Sequence, residues 1–104
     1  MRLLAPALVL LLLSCVSLPH PSPADVARAQ RTWPQADLAT LEAARATYVT
    51  RCSGCHLLYV PTERAPQQWP ADLLKMSKKA KLKPAELEQI ERFVTVMAEH
   101  TESP

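Results

Sequence analysis

The run Cys52-Ser53-Gly54-Cys55-His56 limits what this chain can become more than any other stretch. It holds two of the three cysteines and the single glycine, and a histidine follows the second thiol directly. Two thiols at this spacing serve a redox disulfide, part of a zinc site, or covalent attachment of a haem. Each needs a different framework, so the rest of the sequence has to select among them.

The chain has 104 residues, room for one domain. Met1 and Arg2 precede the almost unbroken apolar run Leu3 to Leu18, LLAPALVLLLLSCVSL. A charged start followed by an apolar core is the pattern of a secretory signal. The run is shorter than the roughly 20 residues that span a bilayer, which makes an uncleaved membrane anchor the lesser alternative. Residues 1–18 are therefore expected to direct export, with the remainder facing the periplasm. Cys15 closes the leucine run in LLSC, which resembles the lipobox of bacterial lipoproteins. That resemblance implies a lipid-bearing Cys15 at the mature N-terminus and attachment to the membrane surface. The competing reading removes Cys15 with the signal, by cleavage after Ala29, where Ala27 and Ala29 give a small-x-small pattern. Residues 19–35 contain Pro19, Pro21, Pro23 and Pro34 and read as an extended, semi-rigid linker.

Residues 36–104 remain for the domain. A body of about 65 ordered residues buries a meagre core and usually needs a disulfide, metal or cofactor. The net charge of +2 offers no basic excess for nucleic acid. Three helices are expected. The first covers Asp37–Arg51, with Asp37 as N-cap and Leu38, Leu41, Ala44, Tyr48 and Val49 at helical spacing. The second covers Pro70–Ala80, opened by Pro70, with Leu73, Met76 and Ala80 on one face. The third covers Pro84–His100, with Leu87, Ile90, Phe93, Val94 and Met97 as its apolar stripe. The segment Leu57–Trp69, holding Pro61 and Pro66, reads as a loop. No useful β-alternation occurs, so the expected class is all-α.

This class separates the three chemistries. A thioredoxin-like disulfide sits near a βαβ pattern, for which there are no strands. Zinc takes four ligands, and no second cysteine pair exists. Haem attachment uses every position. Cys52 and Cys55 would form thioethers with the two vinyl groups of one haem, and His56 would fall under the porphyrin plane as the proximal iron ligand. Ser53 and Gly54 are small enough for the backbone to lie against the ring edge.

With these residues the chain resembles the class I cytochrome c family over nearly all of Ala36 to Glu99. ARATYVTRCSGCH resembles the family's first helix, with a small residue, Ala44, and an aromatic, Tyr48, ahead of the motif. The family commonly has glycine where Ala44 stands, so a slightly wider crossing with the last helix is implied. IERFV is similar to the aromatic-bearing part of that last helix, with Phe93 as the packing partner. WPADLLKM is similar to small monohaem members that place a tryptophan and an apolar turn before the axial methionine. The resemblance implies a small fold of three main helices around one covalent haem c, with Met76 as the distal ligand. Met97 is expected to fill the core, and His20 and His100 are the histidine alternatives. The stretch from His56 to Met76 is short for the family. A thioether opposite an imidazole raises the potential relative to two imidazoles.

Trp69 is expected either to donate its indole N–H to a haem propionate or to cover the haem edge. Arg64 and Tyr59 are weaker propionate candidates. Lys75, Lys78, Lys79, Lys81 and Lys83 surround Met76 and read either as a solvated face or as a rim steering an acidic redox partner. No carboxylate pair, phosphate loop or nucleophile with a base is present, so an enzyme is not expected. The function implied is a one-electron carrier. A haem subunit of a larger oxidoreductase complex and a haem sensor with a labile distal ligand are the alternatives.

Overall fold

Four helices and two single 3₁₀ turns make up the regular structure of the computed structural model, which describes residues 18–53 and 58–102. They are α1 (Pro23–Gln30), α2 (Leu38–Cys52), α3 (Trp69–Ala80) and α4 (Pro84–Met97), with the turns Pro61–Glu63 and Pro66–Gln68 between α2 and α3. All regular structure among the described residues is helical, as the sequence led us to expect. No helix among them is long and apolar enough to cross a membrane.

Local chemistry sets the helix ends. Asp37 accepts from the Thr40 amide at 2.7 Å while the Thr40 hydroxyl receives the Asp37 amide at 3.0 Å. This reciprocal pair satisfies donors that the first turn leaves without helical partners. Prolines begin α4 and stand in the first turn of α3, where a missing N–H costs nothing. α3 ends at Lys81, whose φ of 55° makes it the left-handed residue that closes the turn into α4. The Leu82 amide reaches back to the Ser77 carbonyl at 3.0 Å, the wrapped geometry of a Schellman end.

Periodic apolar faces then build one main core. Ala44 and Tyr48 of α2, Trp69 and Leu73 of α3, and Ile90, Phe93, Val94 and Met97 of α4 are buried together. Each of the larger side chains contributes about 1.5–3 kcal/mol by leaving water. α2 and α4 form the most extensive helix pair, and the Tyr48 and Phe93 rings meet at 5.7 Å between centroids. Leu38, expected on the buried face, is 48% exposed at the start of α2. α4 stops at Met97, three residues short of the expected end.

The segment expected to be an extended linker is folded against the body. Leu18 is buried in the main core, and Arg45 of α2 donates to its carbonyl at 2.7 Å. His20 meets Glu42 at 2.9 Å. Ser22 and Asp25 cap each other's backbone amides across the first turn of α1, with Pro23 at its first position. Ala29 packs with Leu41 and Val96 in a second, smaller cluster. Asp25 is 1% exposed and accepts from the Ser22 amide, the Ser22 hydroxyl and Arg28, while His100 Nδ1 lies 2.6 Å away. Arg28 also donates to the Val96 carbonyl at 2.6 Å, in the last turn of α4 where carbonyls lack helical partners. Proline content suggested a tether, but these prolines sit at helix starts and bends, where they leave the capping and packing intact.

Candidate functional site

The first residue of CSGCH is also the last residue of α2. Cys52 is half-buried and packs against the main core. Leu58, Met76 and Leu82 are half-buried against the same cluster. The expectations for Cys15, Cys55 and His56 fall outside the described residues.

Arg51, adjacent to Cys52, ties the end of α2 to the end of α3. Its Nη2 donates to the Ala80 carbonyl at 3.0 Å and approaches the Lys81 carbonyl at 3.4 Å. Its Nε lies 3.3 Å from Glu86. The carbonyls at the end of α3 are thus capped by a cation, which the helix dipole favours. Ala80 lies one helical turn beyond Met76, so the clasp brings the motif end of α2 to the Met76 half of α3.

Two buried aromatic donors hold the chain as it leaves the motif. The Tyr48 hydroxyl donates to the Tyr59 carbonyl at 2.6 Å, and the Trp69 indole N–H donates to the Pro61 carbonyl at 3.0 Å. Both rings are buried and meet edge to face, with centroids 6.4 Å apart. Burial pushes the Tyr48 phenol well above its ordinary range, reinforced by Cys52 and opposed by Arg64. It therefore stays a donor at any ordinary pH. The indole N–H considered for a propionate is engaged by Pro61, which makes Trp69 a clamp on the chain after the motif.

Beside them Arg64 is held by Asp72 at 2.7 Å, with its guanidinium 4.1 Å from the centre of the Tyr59 ring. The sequence did not reveal this stack. Arg64, Tyr59 and Asp72 lie apart along the chain, and only the turns at Pro61 and Pro66 bring them together.

The other ligand candidates are placed as follows. Met97 is fully buried in the main core, the packing role expected of it. His100 is paired with Asp25, and His20 with Glu42. Lys75, Lys78, Lys79, Lys81 and Lys83 are exposed, and none enters an ion pair among the described residues. Two acidic groups of this end are taken by arginines, Asp72 by Arg64 and Glu86 by Arg51.

These residues fit a porphyrin in one respect: Cys52 and Met76 are both apolar, half-buried and packed against the same core, so each leaves part of its surface open. Comparison with known protein families, with curated proteins and with solved structures finds no match to this chain.

Proposed function

We propose that this chain is a small monohaem c-type cytochrome, similar to the class I family, that carries one electron at a time between larger redox proteins in the bacterial cell envelope. The observation that carries the reading is the position of Cys52. It opens CSGCH at the end of α2, packed against the same core as Met76, with Arg51 tying that end to α3.

A haem attached there would supply a ferric–ferrous couple holding one electron. Cys52 and Cys55 would hold it through thioethers, His56 would be the proximal iron ligand and Met76 the distal one. Leu58 and Leu82, packed against the core, add apolar surface that would help to keep water from it. With His56 and Met76 both as ligands, an iron held there would offer no open position to a substrate, which would favour electron transfer over oxygen chemistry. The five exposed lysines give this end a positive face that suits an acidic redox partner and an association slowed by salt. Export through residues 1–18, with or without lipid on Cys15, delivers the protein to the compartment where such partners work.

The test is visible spectroscopy of protein produced with a haem-attachment system. The ferrous wild type should be low-spin and indifferent to carbon monoxide, and Met76→Ala should become responsive to it. A wild-type ferrous spectrum altered by carbon monoxide would favour a gas-binding haem instead. Colourless folded protein would end the haem reading.

A further inference from the structure

A cavity of about 540 Å³ lies between the chain that connects α1 to α2, the first half of α2, and α4. Small-molecule sites run from about 300 to 1,000 Å³. None of the described residues lining it belongs to CSGCH or to α3. Ala44, which it reaches, precedes Cys52 by eight residues, about 12 Å along a helix.

The connector builds one wall, and hydrogen bonds fix its shape. The Trp33 amide donates to the Ala29 carbonyl and the Ala36 amide to the Trp33 carbonyl, each at 2.9 Å. The Gln30 side chain donates to the Ala36 carbonyl at 2.9 Å. Trp33 stands half-buried on this wall, and buried Leu41 and Ala44 form the floor. The single methyl groups of Ala43 and Ala44 leave depth that a larger residue of α2 would fill.

The polar side chains that matter here are donors. Gln89 accepts the Thr47 hydroxyl on its oxygen at 3.0 Å, which leaves its amide nitrogen without a hydrogen bond among the described residues. The Trp33 indole N–H is in the same state. Arg92 is the one charged residue on the described lining, and its guanidinium carbon lies 5.4 Å from the centre of the Trp33 ring. It pairs with Glu88 one turn earlier, but both side chains are largely exposed, and such a pair is weak in water. Arg92 can therefore meet a second anion. A cation and unbonded N–H groups, with no carboxylate on the described lining, suit negative charge. The indole wall and aliphatic floor suit a flat ring.

We propose that this cavity is a binding site for a small aromatic carboxylate, its ring between Trp33 and the α2 alanines and its charge on Arg92 and the Gln89 amide. The site goes beyond the carrier reading and does not depend on haem at CSGCH.

The experiment titrates isotope-labelled exported protein with naphthoate and, separately, with neutral naphthamide, following backbone amide shifts by NMR. Naphthoate should give saturable shifts at Trp33, Ala43, Ala44 and Gln89. Naphthamide should bind about fivefold more weakly, and Arg92→Gln should weaken naphthoate by a similar factor. Ala43→Trp fills the cavity from the α2 side and should remove the shifts. Arg92 and Ala43 are exposed, so neither substitution disturbs the core. Absence of saturable shifts in the wild type, shifts centred elsewhere, or equal affinity for the acid and the amide overturns the proposal. Undiminished naphthoate binding in either variant does the same.

Discussion

The Tyr48 hydroxyl donates to the Tyr59 backbone carbonyl at 2.6 Å, joining the helix before CSGCH to the strand of chain that leaves it. The bond spans the whole motif. Tyr48→Phe keeps the ring contacts with Trp69 and Phe93 but leaves a carbonyl without its donor. The expected loss is about 1–2 kcal/mol, read by denaturant unfolding, with faster amide exchange at residues 58–60. Unchanged stability would mean that the bond contributes nothing to holding the loop.

Residues 18–30 belong to the folded body. Starting the chain at Gln30 removes buried Leu18, Asp25 and Ala29 together with Arg28, so a loss on the order of 3 kcal/mol is expected. Maturation should then leave Leu18 in place. The intact mass of exported protein is expected to give an N-terminus at or before Leu18. An N-terminus at Gln30 would show that α1 is dispensable.

Acid should loosen α1 from α4. Burial raises the proton affinity of Asp25, but the Ser22 amide, Arg28, His100 and the Ser22 hydroxyl outweigh it and hold the carboxyl below its usual range. A group with a depressed native pKa stabilises fully above its unfolded value of about 3.9 and loses that contribution as pH falls through the native value. The urea midpoint of the wild type should therefore fall as pH drops below about 4. Asp25→Asn should be less stable at neutral pH and flatter over that acid range. Parallel curves for the two proteins would remove Asp25 as the source.

Lys81 holds a left-handed conformation in the turn between α3 and α4. That conformation costs a residue with a Cβ about 1–2 kcal/mol, and glycine escapes the clash. Lys81→Gly should stabilise the protein by about 1 kcal/mol, raising its melting temperature by about 4–8 °C. Calorimetry showing a lower melting temperature would contradict the assigned backbone.

Much of this architecture was legible from spacing alone. The faces Leu41–Ala44–Tyr48, Leu73–Met76–Ala80 and Ile90–Phe93–Met97 announce three helices, while Phe93 as a packing partner was implied by the family resemblance, and Trp69, which reads as loop, opens α3 instead. α1 was masked by its prolines, although Ser22-Pro23-Ala24-Asp25 carries both the capping pair and the first-turn proline that start a helix. Leu18 was hidden because an apolar run reads as a signal to its end, and one side chain folding back leaves no periodic trace. Lys81 stands where glycine usually marks a helix end, so the left-handed turn had no signal. At the candidate site, the end of α2 at Cys52 was readable from local pattern. The Arg64–Asp72–Tyr59 group was not, because its members meet only through tertiary folding.

The central claim is covalent attachment at CSGCH, and the most direct measurement is the intact mass of exported protein under denaturing conditions. The wild type should carry the mass of one haem, retained after acid and solvent, and a Cys52→Ser, Cys55→Ser double variant should lose it. A wild-type mass equal to that of the bare mature polypeptide, with its spectrum devoid of haem, would contradict the account.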